Sequence, residues 1–189
     1  MNPTLAYTLL AAQTLYWLYY LWQRRPRPAR DDSALLLLYA SQGGQAETLA
    51  KHLAQNLNTR AESLDAWHAH HPLKMLGGKT LILIASTTGD GDPPDNAIRF
   101  TRSLQKSGAA LADTRYHLLA LGDKRYPHYC AYGHLLDQEL ERLGATRESP
   151  VTTVDNLDPQ TIAYWQKQLG EHLAPARDER LLALRPFWN

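Results

Sequence analysis

The sequence predicts an α/β fold in which a mainly parallel sheet is covered by helices on both faces. Three observations predict it. Short apolar runs at 35–38, 80–86, 116–121 and 151–154 alternate with stretches whose apolar residues recur at helical spacing. The runs are continuous rather than alternating, as expected of strands buried on both faces. The first three run into unusual loops at 41–45, 87–96 and 122–129, rich in small, polar and turn-forming residues. Loops that follow parallel strands open on the same edge of the sheet, where such folds bind ligands.

Each element has its own signal. Leu35–Leu38 reads as a central strand. After the turn Ser41–Gln45, residues Ala46, Leu49, Ala50, Leu53, Ala54 and Leu57 form one apolar helical stripe. The stretch 61–67, AESLDAW, reads as a short edge strand, His68–Pro72 as a polar loop, and Gly77–Gly78 as a turn. Thr80–Ser86 is the next buried strand, followed by the loop TTGDGDPPDN. A helix with Ala97, Phe100, Thr101 and Leu104 on its inner face follows and ends near Gly108. Tyr116–Leu121 is a third buried strand. A helix then carries Tyr129, Tyr132, Leu136, Leu140 and Leu143 and stops at Gly144. Val151–Val154 is a fourth run. Asp158 caps a last helix with Pro159 at its first position and Ile162, Trp165, Leu169 and Leu173 facing inward.

The chain has 189 residues, a length suited to one domain with an appendage. A formal net charge of +1 lacks the basic excess that nucleic-acid binding requires, so no nucleic-acid partner is expected. The single cysteine, Cys130, cannot pair within the chain and fits a reducing compartment. Residues 1–23 carry no charge, crowd aromatics toward their C-terminal end and precede the arginine-rich RRPRPAR. This pattern reads as a single membrane span with the domain on the cytoplasmic side. A cleaved signal peptide fits less well, because the basic leading region and a small-residue cleavage site are missing. An amphipathic helix lying on a partner is the other reading. Residues 24–32 form a stiff, Pro-bearing linker, and the folded domain is expected over 33–174, followed by a connector over 175–189.

The stretch 34–50, ALLLLYASQGGQAETLA, is a strand feeding a helix through a tight loop. Such a loop holds an anion on backbone N–H groups at the positive end of the helix dipole. Two common nucleotide motifs do not apply. Gly78-Lys79-Thr80 has Leu73 where a P-loop needs glycine, and Gly89-Asp90-Gly91 lacks the third glycine of the dinucleotide fingerprint. His68, His70 and His71 read as a solvated loop rather than a metal site.

The stretches Tyr39–Leu49 (YASQGGQAETL), Ala85–Ala97 (ASTTGDGDPPDNA) and Leu121–Cys130 (LGDKRYPHYC) together resemble the flavodoxin-like, FMN-binding domain of the diflavin reductases. That group includes the flavoprotein subunit of sulfite reductase and the NADPH–cytochrome reductases. The resemblance covers about Ser33 to Ala174. It implies a three-layer sandwich around a five-stranded parallel sheet of order 2-1-3-4-5, with FMN at the sheet's edge. It assigns the FMN phosphate to Ser41, Gln42, Gly43, Gly44, Gln45 and Ala46. Ser86, Thr87, Thr88 and Gly89 would line the flavin, with Gly89 letting a peptide carbonyl turn to meet the reduced ring. Leu121, Gly122, Asp123 and Tyr126 would complete the ring site, with Tyr126 stacked on the flavin. Tyr129 and Asp155 match further family contacts, and Cys130 joins them as a small buried residue. Taken alone, Tyr126 is an ordinary turn aromatic before Pro127, and Asp90, Asp92 and Asp95 are a solvated acidic loop.

The chain departs from the family at Gly43, where a threonine is usual, at Gln45, where Asn or Thr is usual, and at Thr88, where an aromatic is common. The cradle is therefore poorer in hydroxyls, and the flavin lacks one stacking partner, so weaker FMN binding or a shifted potential is expected. The resemblance implies a membrane-anchored one-electron relay. It would run between a FAD/NADPH-binding reductase module, in a longer chain or separate, and a haem, iron–sulfur or ferric acceptor. Arg185–Asn189 resembles the start of the junction to such a module, and no NADPH site is expected within the chain. The alternative is a non-catalytic membrane module that senses or scaffolds with weak or no FMN.

Overall fold

The computed structural model describes residues 35–173, with Gln13 alone before them. The expected span, linker and connector lie outside the described residues. Among the described residues no helix is long and apolar enough to cross a membrane.

The strands are β1 (Leu35–Ala40), β2 (Ala61–Ser63), β3 (Thr80–Ser86), β4 (Arg115–Gly122), β5 (Thr146–Arg147) and β6 (Thr152–Asp155). The helices are α1 (Gln45–Leu57), α2 (Leu64–His70), α3 (Ile98–Lys106), α4 (Ala131–Arg142) and α5 (Pro159–Leu173). Every strand pairing is parallel, in the order β2-β1-β3-β4-β5. Both β5 and β6 pair with β4, β5 beside Arg115–Tyr116 and β6 beside Leu119–Gly122. They are two pieces of one fifth strand, so the order 2-1-3-4-5 holds. The chain order reverses between β1 and β3, which makes the mouth between them the topological switch point.

Alternation within the buried strands divides the core into two. Leu37, Tyr39, Ile82, Ile84, Leu119 and Leu121 pack with α1 and α5. Leu38, Ala40, Leu81, Leu83, Ala85, Tyr116 and Leu118 pack with α2, α3 and α4. The apolar stripes expected for α1, α3 and α5 are buried as expected. Asp158 caps α5, its Oδ2 accepting from the Thr161 N–H at 2.8 Å.

Four local expectations are corrected. Only Ala61–Ser63 of the stretch 61–67 is a strand. The Ser63 Oγ accepts from the Ala66 N–H at 3.2 Å, and this cap starts α2, which buries Leu64 and Trp67 one turn apart. The expected loop His68–Pro72 is therefore helical through His70. Tyr129 precedes its helix, because Cys130 takes φ 54 and α4 begins at Ala131. The fourth strand run is Thr152–Asp155, preceded by the separate pair Thr146–Arg147. The unforeseen Thr146–Arg147 piece is held by charge: the Arg147 guanidinium meets Asp137 at 2.7 Å, and Asp137 accepts from the Tyr116 hydroxyl at 2.6 Å.

Asp65, buried on α2, stabilises a neighbouring helix. α3 has no side-chain cap of its own. The Asp65 carboxylate accepts from the Phe100 N–H at 2.7 Å and the Arg99 N–H at 3.2 Å. Replacing Asp65 with alanine strands both donors. Asp65→Ala is expected to destabilise the fold by about 2 kcal/mol in urea unfolding. A loss within experimental error would show that the cap is dispensable.

Candidate functional site

The carboxyl ends of β3 and β4 and the turn after β6 enclose a cleft of about 490 Å³. Ser86, Thr87 and Gly89 come from the loop after β3. Leu121, Gly122, Asp123, Tyr126, Tyr129 and Cys130 come from β4 and its loop. Gln45, at the start of α1, closes the end nearest the anion loop. A smaller cavity of about 320 Å³ adjoins it, with Gly43, Gly44 and Gln45 on its wall. Ten of the residues expected to bind a cofactor thus line one cleft.

The anion loop is shaped by backbone and cross-loop contacts. Gly44 takes φ 83, a left-handed turn that glycine makes at little cost, and α1 starts directly behind it without a side-chain cap. The Ser41 N–H donates to Asn96 Oδ1 at 3.0 Å. The Gln42 amide is fully committed to Asp95: Nε2 donates to the carboxylate at 2.8 Å, and Oε1 accepts from the Asp95 N–H at 2.9 Å. The Gln42 side chain therefore braces the loop, leaving its backbone to face an anion. Ala46 is fully buried in the core and offers only its N–H. Glu47, in the first turn of α1, is neutralised by Lys51 one turn on.

The Ser41 hydroxyl is different. Ser41 is 8% exposed, and its Oγ is buried with no hydrogen-bond partner among the described residues. An orphaned hydroxyl is costly unless a ligand completes it. Three residues before Gly44, whose helix starts without a side-chain cap, it fits a phosphate. The residues present therefore fit FMN at the phosphate end.

The ring end is set by braces. The Ser86 Oγ donates to the Ala40 carbonyl at 3.0 Å, and the Thr87 Oγ1 accepts from the Tyr132 N–H at 3.2 Å. The Ser86 hydroxyl spends its proton inside the protein, whereas the Thr87 hydroxyl only accepts and keeps its proton to donate. Thr88 closes a tight turn, its N–H donating to the Asp92 carbonyl at 3.0 Å and its carbonyl accepting from the Asp92 N–H at 2.8 Å. It does not line the cleft. Tyr126 is 61% exposed at the cleft wall, an open aromatic face available for stacking. Asp155 is not among the cleft-lining residues; its carboxylate accepts from the Lys124 N–H at 2.9 Å and so positions the third loop. Cys130 is fully buried; its Sγ donates to the Ala120 carbonyl at 3.3 Å, and burial pushes the thiol pKa up. It is an inert packing residue rather than a nucleophile.

Sequence reasoning missed Arg125, His128, Asn156 and Leu157, which also line the cleft. Arg125 and His128 lie inside the third quoted stretch. Asn156 and Leu157 take φ 45 and 57, and the Asn156 N–H donates to the Gly122 carbonyl at 2.8 Å. Two successive left-handed residues without glycine leave no compositional signal. Strain of this kind concentrates at ligand sites.

An aromatic at position 88, expected from the resemblance, would add a stacking face that Thr88, held in its turn with Asp92, does not supply. Thr88→Tyr is expected to tighten FMN binding by about 2–12-fold, the equivalent of ~0.5–1.5 kcal/mol of stacking, in a fluorescence titration. Unchanged affinity would show that no ring face is open there.

The sequence profile described as Flavodoxin matches residues 37–164. The chain is 34% identical over 143 residues to the sulfite reductase [NADPH] flavoprotein alpha-component of Bacillus subtilis (strain 168), covering 74% of this chain and 24% of that protein. It is 39% identical over 119 residues to methionine synthase reductase of Bos taurus, covering 59% and 17%. The chain thus spans about a fifth of the length of these relatives. The crystal structure of oxidised flavodoxin 1 from Bacillus cereus superposes with a TM-score of 0.61 at 20% identity, covering 76% of this chain and 99% of that one. That likeness concerns the fold. With the family profile matched over most of the folded region, the chain belongs to the flavodoxin family, its cofactor is FMN, and it is an oxidoreductase component similar to the FMN-binding part of the diflavin reductases.

Proposed function

We propose that this chain holds FMN with its phosphate on the loop Ser41–Ala46 and its ring between the loops 86–89 and 121–129, and that it relays electrons singly. The observation that carries this reading is the orphaned Ser41 hydroxyl beside the uncapped start of α1, next to a cleft walled by the exposed Tyr126. FMN, when bound, supplies the redox chemistry. The protein's residues bind and orient it. Ser41 and the N–H groups at the start of α1 hold the phosphate, Tyr126 shields one ring face, and Asp155 fixes the loop that carries Tyr126.

The electron donor in this reading is a FAD/NADPH-type reductase module, and the acceptor is a haem, iron–sulfur or ferric centre. Similarity to the relatives' FMN-containing part supports a donor of that class. Residues 1–23 act as a single span with the domain on the cytoplasmic side, a placement supported by the uncharged aromatic stretch and the arginines after it. The anchor would keep the cleft near a membrane-bound acceptor.

The test is the visible spectrum of the full chain purified in detergent, with the flavin then released and identified. The expected result is a yellow protein carrying FMN that does not oxidise NADPH until a reductase module is supplied. A colourless protein that ignores added FMN would overturn the reading. Deleting residues 1–23 should move the chain from the membrane to the soluble fraction, and unchanged fractionation would remove the anchor from the account.

A further inference from the structure

Arg125 and Asp123 both line the cleft, and they are closed on each other. The guanidinium grips the carboxylate as a fork, with Nε at 3.0 Å from Oδ1 and 2.9 Å from Oδ2, and Nη2 at 2.5 Å from Oδ2. The Arg125 N–H adds a fourth bond, to Oδ1 at 2.9 Å. The carboxylate is mostly covered, at 19% exposure, whereas the guanidinium is 79% exposed. Arg125 holds the Asp123 carboxyl below the usual carboxylate range.

As a stabilising contact, an exposed pair two residues apart contributes little. Its position gives it a different consequence. Two-electron reduction of a flavin ring, with uptake of one proton, leaves one negative charge on the ring. A carboxylate on the cleft wall opposes that charge, and a guanidinium favours it. Other charged groups lie nearby, none of them bonded to this pair. Asp90 meets His128 at 3.3 Å, Asp155 accepts from the Lys124 N–H, and the Lys124 ammonium lies 5.7 Å from the centre of the Tyr129 ring.

We propose that Arg125 and Asp123 form a mutually neutralised pair that keeps the charge beside bound FMN balanced, so that losing either member alone shifts the reduction potential, with Arg125 as a positioning and charge-compensating residue rather than a fold-stabilising one. This inference rests on FMN occupying the cleft. The reductant is a reduced flavin of the donor module, or dithionite in the experiment. It gives up two electrons, and the proton comes from solvent.

The experiment measures FMN midpoint potentials in the full chain and in Arg125→Gln, Arg125→Lys, Asp123→Asn and the double variant Arg125→Gln/Asp123→Asn. Arg125→Gln is expected to disfavour fully reduced FMN about tenfold, a fall of ~30 mV for a two-electron couple. Asp123→Asn should shift it by a similar amount in the opposite direction. Arg125→Lys keeps the charge and should stay near the parent value, and so should the double variant, because it removes both charges. Carboxyl-carbon NMR of the flavin-free protein supplies a readout independent of the cofactor, in which Arg125→Gln should raise the Asp123 pKa. Potentials that do not move, or that move in the same direction in both single variants while FMN stays bound, overturn the pair's role. A chain that binds no FMN sinks the FMN reading and this inference together, and the absent flavin spectrum tells that failure from the other.

Discussion

Ser41→Ala is expected to weaken FMN binding by about 10–150-fold while leaving the flavin-free protein as stable as before or more stable. The two effects have opposite signs because they concern the same atom in two states. A hydroxyl bonded to a phosphate dianion contributes about 1.5–3 kcal/mol, which sets the loss of affinity. The same Oγ in the flavin-free chain is buried with no partner among the described residues, so deleting it removes a cost. Calorimetric titration with FMN and urea unfolding of the flavin-free variant read the two effects separately. Riboflavin, which lacks the phosphate, should bind parent and variant equally. A variant that loses stability but keeps its FMN affinity would make Ser41 a structural residue and move the phosphate elsewhere.

Gly133→Ala is expected to destabilise the fold by about 1–3 kcal/mol, with larger side chains preventing folding. Gly133 lies on the face of α4 that meets β4. A Cβ added there would stand 2.3 Å from the Ala120 Cβ and 3.3 Å from the Ala120 Cα. Ala120 is fully buried in the centre of the sheet, so the helix must lift away. Lifting α4 also disturbs the Tyr132 N–H bond to Thr87, which braces the cleft. The clash is pairwise, so Ala120→Gly combined with Gly133→Ala should recover part of the loss. Urea midpoints of the two single variants and the double variant check this. Equal stability of Gly133→Ala and the parent would contradict the helix–sheet spacing described here.

The fold was legible because burial on both faces leaves a strong trace. The apolar runs around Leu37 and Ile82 have no polar interruption, the run around Leu118 is broken only by His117, and the stripes of α1 and α5 recur at helical spacing. The misreadings have local causes. Leu64 and Trp67 are apolar residues in a short stretch that suits a strand as well as a helix, and Ser63 decides the matter by capping. Thr146–Arg147 has exposed side chains and no apolar pattern, so its pairing with β4 and its ion pairs with Asp137 and Glu141 show only in three dimensions. At the site, the three loops could be found because they follow three strands. The cross-loop bonds could not, since Gln42 and Asp95 are far apart in sequence and either could have faced a ligand. The Asp155 carboxylate accepts from the Lys124 N–H across 31 residues, a bond that no local pattern reveals.

The central claim is that this cleft recognises a flavin through its phosphate as well as its ring. The most direct test is titration of the flavin-free full chain with FMN and with riboflavin, following quenching of flavin fluorescence. The account predicts one FMN per chain, bound at least ~100-fold more tightly than riboflavin, because the cradle of Ser41 and the α1 amides acts only on the phosphate. Equal affinities for the two flavins, or no quenching by either, would contradict it.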